Sequence, residues 1–323
     1  MELPDFIREC LHKAPAMFGH VQASIATFQP ILDRNEMPFF TDYTEHGMRH
    51  NEDIIKTSLD LMTKEAKGIF SPADATILVL SVLLHDCAMH ISVDGFLSLK
   101  KDNSRWKPLK YFNDKPWDTL WDEFMANAMR YDGRTLISLF GDTEPVARPP
   151  DNPQNMTKKH RLLIGEFLRK HHARLAHEIA IYGFPGPEGQ SLDLLPGLEQ
   201  EWRDLAGVTA RSHGVAIRDC LEFFKNKYHI RDFRGAHTVF VMALLRLADY
   251  CQIQAQRAPR ELIEIKNIRS PISETEWHTH QCIRNITPAD DDPEAVYVDA
   301  APAEVATYLR VKNWLVGIQN ELD

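Results

Sequence analysis

The sequence predicts a mainly α protein: a helical core carrying one inserted segment and completed by a small α+β appendage at the C-terminal end. Three observations lead there. Apolar residues recur at helical spacing through most of the first 260 positions. One stretch, Ile77 to Leu84, is apolar everywhere except Ser81, as suits a helix buried nearly all round. After Pro259 the pattern changes to a strand, a turn and a second strand.

Taken in order, residues 5–18 and about 20–28 read as short helices, closed by Pro30 and packed on the outside of the core. A polar loop follows, from Pro38 through His46-Gly47-Met48-Arg49-His50, whose glycine suits a turn. Ile54, Ile55, Leu59 and Met62 then recur at helical spacing and place His50 at the start of an amphipathic helix. Ser71-Pro72-Ala73-Asp74 supplies an N-cap, a proline at the first helical position and an acidic third residue. The helix it starts is the apolar one, and it ends in His85-Asp86-Cys87-Ala88-Met89-His90.

Residues 92–160 lose clear periodicity, and Trp106, Trp117 and Trp121 with the proline-rich stretch 145–153 read as an insertion of short helices. Such a segment suits a lid that selects the substrate, its aromatic faces stacking on a base. Lys158 to Tyr182 is a long helix bearing His171, His172 and His177, stopped by Gly183-Phe184-Pro185-Gly186. A helix over about 198–211 runs into Ser212-His213-Gly214, where the glycine would let the backbone approach a neighbour closely, and helical spacing resumes over 215–224. The next strong helix, Val239 to about Gln254, carries Asp249 among apolar residues. Residues 1–260 are therefore expected to form one helical domain. Residues 261–323 form a hairpin, with its turn at 290–293, and an amphipathic helix that shows no stop signal, so the chain is expected to continue into a longer protein.

With 323 residues, 44% hydrophobic and 26% charged, the chain can bury a substantial core. Five scattered cysteines without C-x-x-C spacing argue against a disulfide framework or a structural zinc site. A net charge of −9 disfavours a broad nucleic-acid surface. The N-terminal stretch lacks the basic and apolar regions of a signal peptide, and no stretch has 18 uninterrupted apolar residues, so a cytosolic location without a membrane is expected.

Asp86 and Asp249 pose the chemical question, because a carboxylate in an apolar helix needs a cation or strong donors beside it. A metal ion meets that need, and the neighbouring His85 would share it. Any single histidine also has a bland reading, as a satisfied core or surface residue. The order His50, His85-Asp86, His172, His213, Asp249 is more specific, since each falls on an independently expected helix. Imidazole with carboxylate suits manganese, iron, cobalt, nickel or zinc, with magnesium possible at a more oxygen-rich site. His177-Glu178 lacks the second histidine of a metalloprotease helix, and the P-loop, Rossmann and nucleophile-elbow motifs are absent from the sequence.

Leu84-His85-Asp86-Cys87 and Leu244-Leu-Arg-Leu-Ala-Asp249 resemble the central and final motifs of the HD superfamily of metal-dependent phosphohydrolases. Tyr43-Thr-Glu-His46-Gly-Met-Arg-His50, Gly165 to His172 and Arg211-Ser-His213-Gly214 resemble its HD-CE subgroup. The resemblance covers roughly residues 38–257. It implies a helical HD core in which His50, His85, Asp86 and Asp249 hold one divalent ion and His172 and His213 a second, bridged by Asp86. It leaves His46 competing with His50, His171 with His172, and His90 or His177 as supporting residues. Two ions can hold a bridging hydroxide as the nucleophile. The implied activity is hydrolysis of a nucleotide phosphoester or phosphoanhydride, with Asp86 and His85 at the reacting centre and Arg49, Lys170 or Arg211 on the phosphate. A nucleotide-sensing module that keeps the pocket is the alternative, because similar proteins of bacterial conflict systems are often fused to a histidine-kinase-type ATPase, which would be the partner.

Overall fold

The computed structural model describes residues 1–34, 36–40, 42–109, 111–227, 233–259, 268, 270–289, 292 and 295–322. Its centre is α5 (Pro72–His85), in which every residue from Ala73 to His85 is buried. The expected start is present as a reciprocal capping box, Ser71 accepting from the Asp74 amide and Asp74 from the Ser71 amide, a device that contributes about 1 kcal/mol. The stretch Pro72–His90 is long and apolar enough to cross a membrane, but 94% of it is buried inside the fold.

Around α5 pack α1 (Asp5–His12), α2 (Pro15–Leu32), α3 (Met48–Leu61), α9 (Lys158–Tyr182), α10 (Gln200–Ser212) and α12 (Thr238–Tyr250). The first two helices belong to the core instead of lying outside it: Ile7, Leu11, Val21 and Phe28 are fully buried and both helices touch α5. Pro30 does not close α2, which runs on to Leu32. A proline forfeits one backbone hydrogen bond, and near a C-terminus the helix tolerates that loss. Short α4 (Lys64–Ile69), capped by Thr63, links α3 to α5.

The segment between α5 and α9 forms α6 (Val93–Leu99), α7 (Trp117–Ala128) and α8 (Gly133–Phe140). Its tryptophans are core residues and not exposed stacking faces. Trp106, Trp117 and Trp121 are at most 2% exposed; Trp106 Nε1 donates to Gly183 O at 2.7 Å and Trp117 Nε1 to Glu178 Oε2 at 2.5 Å. Gly183, at φ +87°, ends α9 where the stop signal lies, and a two-residue hairpin follows, β1 (Phe184–Pro185) against β2 (Ser191–Leu192). Close contacts join α9 to α10. A Cβ on Gly207 would lie 2.4 Å from His177 Cδ2, and one on Gly214 would lie 2.4 Å from Ala173 Cβ.

After α11 (Ile217–Lys227) and α12 the chain forms α13 (Pro271–Cys282), the antiparallel pair β3 (Ile283–Pro288) and β4 (Val296–Ala300), and α14 (Val305–Leu322). This is the small α+β part of a mainly α fold. The expected boundary at 260/261 lies outside the described residues. So does the 290–293 turn except Asp292, whose carbonyl accepts from Ala295 N at 3.1 Å. Trp277 of α13 donates to Asp42 O at 2.9 Å, and Trp314 of α14 donates to Tyr250 O at 3.2 Å. These contacts dock the C-terminal elements beside the start of α3 and the end of α12.

Candidate metal centre

Five helices and one loop deliver side chains to one point. His46 comes from the loop before α3 and His50 from the first turn of that helix. His85 is the last residue of α5, and Asp86 is its C-cap, at φ −107° and ψ 1°, from which the chain turns into a short 3-10 helix over Cys87–His90. His172 lies midway along α9, His213 caps the end of α10, and Asp249 is on the last turn of α12. The ligand set expected from the sequence is thus assembled from positions as much as 199 residues apart.

Asp86 divides this set. Its Oδ2 lies 3.1 Å from His85 Nε2, 3.8 Å from His50 Nε2 and 3.9 Å from His46 Nε2. Its Oδ1 lies 3.3 Å from His172 Nε2 and 3.8 Å from His213 Nε2. Asp249 Oδ1 joins the first group, 3.6 Å from His50 Nε2 and 3.8 Å from His85 Nε2. Two clusters close enough to hold an ion result, His50/His85/Asp86 and Asp86/His172/His213, with Asp86 common to both.

The hydrogen bonds fix which nitrogen each ring offers. His85 Nδ1 contacts Val82 O at 2.7 Å, His172 Nδ1 contacts Arg169 O at 2.8 Å and His213 Nδ1 contacts Ala210 O at 2.5 Å. A carbonyl only accepts, so Nδ1 carries the proton in all three rings, and in the neutral ring Nε2 presents a lone pair. His172 Nε2 and His213 Nε2 face each other at 2.8 Å, two acceptors aimed at one space. His50 Nε2 and His85 Nε2 are buried without a well-aligned hydrogen bond. Converging lone pairs and carboxylates fit a cation, and a backbone partner on the far nitrogen is the support that metal-binding histidines use.

Electrostatics agree. Burial opposes protonation of His85, but the carboxylates of Asp86 and Asp249 outweigh it and push its pKa up to about 9. Burial, then the Arg257 charge, holds His50 down at about 4, and burial with His172 and His85 does the same for His213. Burial would raise Asp86, but His85 and His172 keep it well below the usual carboxylate range.

Several alternatives resolve. His171 faces Trp117 and Phe167, with ring centroids at 6.0 and 4.8 Å, and is turned away from Asp86. His46 and His50 both reach the cluster, and His90 supports it, Nε2 donating to His46 O at 3.0 Å. His177 bonds Asp204 at 2.9 Å in the α9–α10 seam. The expected phosphate cations are elsewhere. Arg211 is held by Asp114 through two bonds of 2.7 Å and stacks 3.8 Å from the Phe112 centroid, so both its terminal nitrogens are engaged, while its Nε is buried without a partner. Arg49 is exposed on the first turn of α3, and Lys170 lies over Phe124.

A cavity of about 310 Å³ opens over the cluster. His46, Asp86, His172, His213 and Asp249 line it with Tyr43, Arg169, Tyr250, Arg257, Glu276, His280 and Trp314. Among the described residues no wall comes from 92–160; the outer wall is α13 and α14, so the insertion is not the lid. A larger cavity of about 740 Å³, between α6 and α7, has carboxylates but no histidine among its described lining residues. The sequence reading missed Arg169 and Arg257. Arg169 stands three residues before His172 on the same helical face, a signal that was available; Arg257 ends a short 3-10 helix, Ala255–Arg257, that follows α12 and has no signal of its own.

A family model described as HD-CE matches residues 40–323. No curated protein and no solved structure matches the chain.

Proposed function

The chain belongs to the HD-CE family, and from that premise we propose that it is a metal-dependent phosphohydrolase acting on a nucleotide phosphoester or phosphoanhydride. The observation that carries this reading is the division of the Asp86 carboxylate between two histidine clusters whose Nε2 atoms are all directed at it. His50, His85, Asp86 and Asp249 would hold one divalent ion, and His172 and His213, with the other Asp86 oxygen, a second. When bound, such ions polarise a phosphoryl oxygen and lower the pKa of a coordinated water.

The chain's own residues supply the rest. Arg257 is anchored by Nη bonds to Gln252 O, at 3.0 Å, and Glu45 O, while its Nε is buried without a partner. That leaves a fixed cation at the cavity wall, suited to a phosphate oxygen. Arg169, oriented by two bonds to Glu166 at 3.0 and 2.8 Å, stands opposite as a second cation. Tyr43, Tyr250 and Trp314 provide ring surface for a base.

A sensing role is the second reading, favoured by one contact. Arg246, one turn before Asp249, is held by Glu321 of α14, so that helix is tied to the one that carries a metal residue. The test is metal analysis of protein purified without chelator, followed by a screen of nucleotides for released phosphate. The expected result is bound transition metal and phosphate release, both lost in Asp86→Ala. Metal and nucleotide binding without turnover would favour sensing, and protein that takes up no metal would refute both readings.

A further inference from the structure

The two ends of the cavity differ in chemistry. The inner end holds the histidine cluster with Arg257 and Arg169, and it suits an anion. The outer end is made by α13, where Glu276 and His280 are one helical turn apart and face the same cavity.

Glu276 is held in place, with Oε1 3.5 Å from His280 Nε2 and Oε2 bonded to Arg310 Nη2 at 3.1 Å. An ionised carboxylate accepts about four hydrogen bonds, two per oxygen, so each oxygen keeps capacity for another donor. Burial would raise its pKa, but His280 and Arg310 hold it below the usual value, so it is ionised at neutral pH. His280 is 3% exposed, and its Nδ1 is buried without a partner. A nitrogen so enclosed has no face on the cavity, so His280 serves to hold Glu276. The outer end therefore presents one carboxylate with two acceptor oxygens, held from both sides by His280 and Arg310. A ligand that fills the cavity has to be anionic at one end and donor-bearing at the other, and a buried acceptor left unmet costs about 1–3 kcal/mol.

We propose that α13 reads a vicinal diol: the two oxygens of Glu276 accept the two hydroxyls of a ribose whose phosphate lies against Arg257 and the histidine cluster. The ligand is thus a ribose phosphate and not its 2′-deoxy counterpart. The inference rests on the phosphate-binding reading above but not on turnover. It also assigns specificity to the C-terminal α+β part, while the insertion serves the core.

The test is equilibrium binding by the full chain loaded with Mn²⁺. The probes are the four ribonucleoside 5′-monophosphates, their 2′-deoxy forms and ribose 5-phosphate. The ribo form of at least one nucleotide should bind ten-fold or more tighter than its deoxy form, and Glu276→Gln should remove most of that preference while melting as wild type does. Binding of ribose 5-phosphate alone would place recognition in the sugar; binding only of nucleotides would add the base. Equal binding of ribo and deoxy forms by the wild type, which needs no variant, would overturn the inference, as would no binding of any diol-bearing probe or an undiminished preference in Glu276→Gln. Protein that shows the preference but releases no phosphate loses the hydrolase reading alone. Protein that hydrolyses phosphoesters without the preference loses this inference alone.

Discussion

Arg211 lies between Asp114 and Phe112, donating from both terminal nitrogens to the carboxylate at 2.7 Å while its guanidinium carbon sits 3.8 Å from the ring centroid. Arg174 of α9 adds its charge, Nε 3.7 Å from the same Asp114 oxygen. Arg174 is two residues beyond His172 and Arg211 two residues before His213. The chain between α6 and α7 therefore straps together the two helices that bring those histidines face to face.

Removing the strap should cost stability first. Asp114→Ala leaves two buried guanidinium groups without their shared carboxylate, and breaking a buried pair this way costs about 3–5 kcal/mol. Urea unfolding should show that loss as a lower midpoint. Arg211→Ala should behave similarly; a variant of normal stability whose KM for a phosphorylated substrate rises steeply would instead return Arg211 to the phosphate.

A second consequence concerns Gly214. An added Cβ would meet Ala173 Cβ at 2.4 Å, and both atoms belong to helix-anchored backbone that has little room to yield. Gly214→Ala is expected to destabilise the fold by about 1–3 kcal/mol, as overpacking does. It should also move His213 away from His172. Metal analysis should find the His172/His213 ion weakened and the His50/His85 ion retained; equal retention of both would show that the close approach does not set the pair.

Much of this arrangement was legible because the signals are local. The cap at Ser71, the all-apolar run to Leu84 and the stop at Gly183 determine α5 and α9 from short-range chemistry, and the His-Asp order follows from those helices. The walls of the cavity were not legible. Trp106 and Trp117 read in sequence as aromatics of short helices with faces available to a base, yet their indole nitrogens find buried partners on Gly183 and Glu178, a long-range pairing that periodicity cannot carry. Arg211 stands two residues from a candidate ligand, but Asp114, 97 residues away, already holds it. Glu276 and His280 lie outside the matching motifs, and long-range contacts such as that of Trp277 with Asp42 O bring their helix to the site.

Metal uptake should depend on pH through His85. With no ion bound, its carboxylate neighbours hold its pKa at about 9, above the ordinary histidine value, so at pH 7 it carries a proton that an incoming cation has to displace. His50 and His213, held at about 4, are already neutral. Binding of the first ion at pH 7 should thus release about one proton, and affinity should rise with pH until about pH 9 and then level. Calorimetry in two buffers of different ionisation heat reads the release directly. Binding that releases no proton, or an affinity flat between pH 6 and 8, would contradict this assignment.

The two clusters should also separate by mutation, because Asp86 is the atom set they share. His50→Ala removes a group that contacts only the Oδ2 side, and it should lower the first ion's occupancy while the His172/His213 pair stays intact. His172→Ala and His213→Ala remove groups on the Oδ1 side; each should leave one ion per chain and lower turnover by about a hundred-fold or more, at least the upper end of what loss of a supporting residue costs at a metal site. Fold stability should change little, since His172 is partly exposed and neither ring fills a hydrophobic layer. Asp86→Asn, which keeps the shape but removes the charge, should reduce both ions together. The comparison is a metal stoichiometry for each variant beside its kcat. Full metal content and near-normal turnover in both His172→Ala and His213→Ala would mean that the facing nitrogens are a structural contact and that the centre works with a single ion.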